Sequence, residues 1–81
     1  MIIKKTIHFQ DGLHSRNAML LSEIARKYNG DLKIISKNGK PLYVSCSSII
    51  SIILAQILEN DEIELETQSA ECIKEVNELI P

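Results

Sequence analysis

The chain has 81 residues, a formal charge of −2, a single Phe and no Trp. So short a chain makes one domain with a limited core and no large internal cavity, and its charge and scarce aromatics exclude the basic, base-stacking surface of a general nucleic-acid binder. Two cysteines without a signal-like segment, and no apolar run of membrane-spanning length, predict a cytoplasmic protein that does not insert into membranes.

Ile3 to Phe9 reads as a strand with Ile3, Ile7 and Phe9 on one side, an alternation that Lys5 interrupts, and with His8 pointing the other way. Gln10-Asp11-Gly12 is a loop. The segment Gly12-Leu13-His14-Ser15-Arg16-Asn17-Ala18 then sets a histidine, and two residues later an arginine, at the start of an amphipathic helix on which Ala18, Leu21, Ala25 and Tyr28 share a face. Asn29-Gly30 tolerates left-handed backbone and ends that helix. Asp31 to Ser36 and Pro41 to Cys46 are strands around Asn38-Gly39, a pair favouring tight hairpins, and Pro41 suits an edge strand because it donates no ladder bond. Ser48 to Leu58 is too long for an ordinary strand and reads as a short second helix. Eight of the ten residues from Ile49 to Leu58 are apolar, so some of Ile49, Ile50 and Ile53 must reach the surface, although each also suits the core or a homodimer contact. Glu62 to Thr67 alternates with Ile63 and Leu65 inward, and Ser69 caps a last helix with Cys72, Val76, Leu79 and Ile80 on its core side. Cys46 and Cys72 read as small core residues, with a disulfide between them left open by spacing alone. The order βαββαβα predicts an α+β fold, an open-faced β-sandwich whose four-stranded antiparallel sheet carries three helices on one face, with residues 1–81 as one domain.

The chemistry concentrates around His14. The first N–H groups of a helix have no partner within it and carry the positive end of its dipole, so an anion held on His14 meets donors already in position. Arg16 adds a permanently charged fork suited to phosphate oxygens, and a neutral imidazole nitrogen can attack phosphorus. A phosphohistidine is the chemical reading; a His that only caps the helix or faces water is the plain one. No metal site is indicated, because His8 and His14 are the only histidines and the cysteines lack paired spacing. Asp11 near His14, without a designated serine or cysteine, makes no nucleophilic triad.

Asp11 to Ala18, the helix end Lys27-Tyr28-Asn29, the Asn38-Gly39-Lys40 turn and the serine-initiated second helix resemble the histidine-containing phosphocarrier protein, HPr, of the bacterial phosphotransferase system, over nearly the whole chain. The resemblance implies an HPr-like fold in which His14 takes a phosphoryl group from enzyme I, charged by phosphoenolpyruvate, and passes it to A-type domains of sugar-transporting enzymes II. It implies that Arg16 stabilises the phosphoryl charge, that the backbone amides of Ser15, Arg16 and Asn17 form the anion site, and that neither Mg²⁺ nor a nucleotide serves the histidine step. Asn17 departs from the family, which usually has proline there; it restores an N–H and loosens the first turn, allowing one more hydrogen bond to phosphate. Partner docking is expected at Leu20, Arg26, Lys27, Ile49, Ile50 and Ile53, with weaker steering toward acidic partners because the second helix has no lysine. Ser48, or its neighbour Ser47, matches the serine that a kinase phosphorylates in Gram-positive relatives to engage a transcriptional regulator, and a plain helix cap accounts for either as well. Two further classes stay open: an HPr-like regulatory protein acting through docking or serine phosphorylation, and a small ligand-sensing domain that dimerises through its apolar helix.

Overall fold

A computed structural model describes residues 1–81, with β1 (Ile2–Thr6), α1 (Ser15–Lys27), β2 (Lys33–Lys37), β3 (Lys40–Ser45), α2 (Ile49–Leu54), β4 (Glu62–Glu66) and α3 (Ala70–Leu79). All strand pairings are antiparallel and the sheet order is β1-β4-β2-β3, so β4 lies between β1 and β2. Residues paired across strands share a face of the sheet. Ile3, Leu65, Ile34 and Val44 therefore form one row across all four strands. That row looks toward the helices, whose Ala18, Leu21, Ala25, Ile52, Cys72 and Val76 join the same buried cluster. The opposite face carries Glu62, Glu64 and Glu66 of β4, beside Lys4 of β1 and Lys33 of β2. Lys4 approaches Glu62 at 3.9 Å and Lys33 approaches Glu66 at 3.3 Å; exposed pairs of this kind contribute at most about 1 kcal/mol each. Pro41 sits on the edge strand β3, where its missing N–H costs no interior ladder bond.

Several boundaries differ from the sequence expectation, β3 (Lys40–Ser45) and β4 (Glu62–Glu66) by no more than a single residue at an end and β1, α2 and β2 by more. β1 stops at Thr6 rather than Phe9 because Thr6 pairs with Glu62, the first residue of β4. Beyond it Ile7 keeps two backbone bonds, to the Asp61 carbonyl and from the Asn60 N–H, and His8 lies exposed outside the strand. α2 ends at Leu54, short of Leu58, because Gln56 turns left-handed at φ 53° and the Lys37 ammonium binds the carbonyls of Ala55 and Gln56 at 3.1 and 3.5 Å. β2 begins at Lys33 and carries a register shift between Ile34 and Ser36.

α1 and α3 are fastened near the C-terminal end of α1. The Tyr28 hydroxyl donates to the Glu75 carboxylate, which also pairs with Lys27 at 2.9 Å. The hydrogen bond to Glu75 pushes the Tyr28 phenol up to about 12, and the same bond, helped by Lys27, holds the Glu75 carboxyl below its usual range. Ser69 caps α3 by accepting the Cys72 N–H at 3.1 Å. Both cysteines are free and buried, and burial pushes the Cys46 thiol up to about 12. No helix is long and apolar enough to cross a membrane.

Candidate functional site

The site is assembled from a seat, a histidine and a helix start. The seat is the backbone of Ile57 and Leu58 in the turn after α2. Gly12, at φ +70°, lies so close to it that a Cβ would meet the Ile57 carbonyl oxygen at 2.1 Å. Only glycine allows both this left-handed angle and this approach. The Gly12 N–H closes the loop on the Phe9 carbonyl at 2.9 Å, and the Leu13 N–H donates to the Ile57 carbonyl at 3.0 Å. The Leu13 side chain is buried in the core, which leaves the next residue, His14, standing exposed on a fixed support.

His14 occupies the N-cap position of α1 with extended backbone, φ −141° and ψ 162°, yet its side chain makes no capping bond. That separates it from the ordinary capping residue, whose side chain turns back to satisfy a helix N–H. Its Nδ1 lies instead 3.0 Å from the Ser15 hydroxyl oxygen. Ser15 is in the left-handed region at φ 47°, an unusual backbone for a residue with a side chain and one that recurs where function holds a chain under strain. The N–H groups of Ser15 and Arg16 donate to no backbone carbonyl, whereas the Asn17 N–H reaches back to the His14 carbonyl at 3.2 Å and the Ala18 N–H to the same oxygen at 3.5 Å. Two helix-start donors are thus free beside the imidazole. Arg16 is exposed and takes no part in the ion pairs Lys4–Glu62, Lys27–Glu75 and Lys33–Glu66, so its guanidinium is available to an arriving anion.

An open groove of about 510 Å³ runs from His14 along the end of α2, lined by Asp11, Leu13, Ile53, Leu54, Ile57 and Leu58 among others. Of the apolar residues expected at the surface, Ile50 is 66% exposed, while Ile49 and Ile53 are half-buried against the core. Leu54 and Leu58, passed over in the sequence, are exposed to 74% and 61%. Ile50 and Leu54 lie four residues apart on α2, a spacing legible in the sequence once the buried face of the helix is fixed by Ile52, and Leu58 lies in the turn beyond the helix end. The expected basic partners are less free than their exposure suggests. Arg26 folds back along its helix, its Nη2 donating to the Ser22 hydroxyl at 3.0 Å, and Lys27 is engaged by Glu75. Leu20 lies on a different groove, between α1 and α3. Ser48 is the N-cap of α2, its Oγ accepting the Ser51 N–H at 3.2 Å, and Ser47 shares a hydrogen bond with Ser45 at 2.8 Å. No three His, Cys, Asp or Glu side chains gather in a group able to hold a metal ion.

The family model for the PTS HPr component phosphorylation site matches residues 3–80. No curated protein matches the chain. Among solved structures, HPr-C-His from Thermoanaerobacter tengcongensis superposes with a TM-score of 0.81 at 24% identity, covering 99% of this chain and 90% of the other. A histidine-containing phosphocarrier protein from Mycoplasma gives 0.83 at 22%, covering 98% and 90%. A phosphocarrier protein HPr from Bacillus anthracis gives 0.74 at 22%, covering 99% and 92%. At these identities the three structures establish a common fold.

Proposed function

Since the chain belongs to the HPr phosphocarrier family of the phosphotransferase system, we propose that His14 accepts a phosphoryl group from phosphorylated enzyme I and passes it to A-type domains of enzymes II, in phosphoenolpyruvate-dependent sugar uptake within a bacterial cytoplasm. The reading is carried by one observation: an exposed histidine that does not cap its helix stands beside two unoccupied helix-start N–H groups. Nδ1, the nitrogen against Ser15, is the nucleophile. Its lone pair forms the new N–P bond as the donor's P–N bond breaks, and the donor histidine leaves as neutral imidazole. The amides of Ser15 and Arg16 and the Arg16 guanidinium meet the oxygens that carry the charge. The Asn17 N–H, drawn from its 3.2 Å bond to the His14 carbonyl, adds a third amide. Residues 1–81 act as one domain.

The groove at His14, walled by Ile53, Leu54 and Leu58, and the exposed Ile50 beside half-buried Ile49 support docking through apolar contact, with Arg16 as a free cation two residues from His14 and Leu20 apart on the groove between α1 and α3. The Ser48 hydroxyl, occupied as a helix cap, supports a structural role for that serine rather than a regulatory one.

The test is incubation with phosphoenolpyruvate and purified enzyme I, read by intact mass and acid lability. The wild type is expected to gain one acid-labile phosphate and His14→Ala none. A wild type that gains none with enzyme I of the same organism overturns the reading.

A further inference from the structure

We propose that Asp61, braced by Asn38 and Lys37, is the positioning residue for His14. The proposal rests on the phosphocarrier reading and adds the group that keeps the histidine's support in place. His14 is one residue from the Leu13 N–H that donates to Ile57, and two from the glycine pressed against the same carbonyl. Any shift of the Ile57–Leu58 backbone is therefore passed to the imidazole. That backbone lies in a turn with left-handed residues on both sides, Gln56 at φ 53° and Asn60 at φ 73°, and such a turn does not hold its shape by propensity.

Asp61 supplies what propensity does not. Its Oδ2 accepts the Leu58 N–H at 2.8 Å and its Oδ1 accepts the Asn38 side-chain amide at 2.9 Å. Its backbone N–H donates to the Leu58 carbonyl at 3.1 Å, and its carbonyl accepts from Ile7 at the end of β1 at 2.9 Å. Asn38, at the hairpin tip between β2 and β3, is fixed in turn, accepting the Glu62 N–H on its Oδ1 at 2.9 Å and donating its own N–H to the Glu62 carbonyl at 2.7 Å. Lys37 holds the other end of the turn through the Ala55 and Gln56 carbonyls. The turn at Leu58 and the hairpin tip at Asn38 thus meet at one carboxylate, while the backbone carbonyl of the same residue holds Ile7. The Leu58 and Asn38 bonds also hold the Asp61 carboxyl below its usual range, which keeps it charged and accepting. Because in-line transfer is sensitive to displacements of about 1 Å, a brace at this point acts on rate without touching the phosphoryl group.

Asp61→Asn tests this at nearly constant volume. Its new NH₂ must face either the Leu58 N–H or the Asn38 amide, both donors, so one bond is lost. Lys37→Met, which removes the ammonium held by the Ala55 and Gln56 carbonyls, loosens the same turn and serves as the second variant. In each, hydrogen exchange at the Leu13 amide is expected to accelerate while that of Leu65, in the centre of the sheet, stays at the wild-type rate. The maximal rate of His14 phosphorylation by enzyme I is expected to fall about tenfold with KM unchanged. Wild-type exchange at Leu13 in both variants overturns the proposal, as does equal acceleration at Leu13 and Leu65, which marks general destabilisation. Wild-type protein that takes no phosphate overturns the phosphocarrier reading and this proposal with it; variants that match a phosphorylated wild type in rate overturn this proposal alone.

Discussion

Gly12 and Gly39 share a left-handed backbone, φ +70° and +80°, in opposite surroundings: a Cβ on Gly12 meets the Ile57 carbonyl, and one on Gly39 meets nothing within 4 Å. Gly39→Ala is therefore expected to lose only the left-handed penalty, about 1–2 kcal/mol, and Gly12→Ala roughly twice that, a difference that urea unfolding of the two variants measures. Arg16 has no partner to lose, so Arg16→Gln is expected to leave stability within about 0.5 kcal/mol of wild type while slowing His14 phosphorylation about tenfold, as urea unfolding and a single-turnover assay report. Phosphorylation is also expected to shift the Asn17 amide proton downfield, and an unmoved resonance refutes its bond to phosphate. The His14 to Arg16 spacing is local and could be read directly from the chain. The left-handed Ser15 could not, because side-chain-bearing residues enter that region only where their surroundings hold them there.

At the scale of elements, α2 carries two opposed faces on six residues. Ile52 is fully buried and Leu54 is 74% exposed. Ile52→Ala is expected to cost about 3 kcal/mol, whereas Leu54→Ser changes stability by under about 0.5 kcal/mol and raises KM for enzyme I; equilibrium unfolding and transfer kinetics separate the two. The apolar run announced a helix with surplus hydrophobic surface, but not where it stops, since its end depends on Lys37 and Asp61, residues far from it in sequence. The junction of α1 and α3 predicts a pH effect. A phenol whose folded pKa is raised keeps its proton when the unfolded chain would release it, so the Tyr28 contribution is complete below pH 10 and declines toward pH 12. The stability gap between wild type and Tyr28→Phe is expected to narrow over that interval. Glu75 works in the opposite sense: its lowered carboxyl contributes above the ordinary carboxylate range and loses that contribution as pH falls through its folded pKa. Thermal unfolding at stepped pH follows both.

For the whole molecule, periodicity and turn residues carried the order of elements and the inward residues of each, because those depend on neighbours in the chain. The clasp of Asn38 on Asp61 joins distant positions and left no local mark in the sequence. Burial also makes a global probe of the two cysteines. With Cys46 and Cys72 both fully enclosed, neither thiol is expected to react with an Ellman-type reagent faster than the protein unfolds; prompt reaction of the native protein refutes this. The place of β4 between β1 and β2 has a consequence for how the molecule is made. A chain emerging N-terminus first can close the β2–β3 hairpin from neighbouring residues, but β1 waits for a partner that lies at the other end of the chain, Ile2 against Glu66. Such distant pairing makes folding slow relative to hairpin formation. A nascent chain cut off before Glu62 keeps Ile3 and Ile34 without the strand that joins their rows, so completion of the sheet waits for the synthesis of β4.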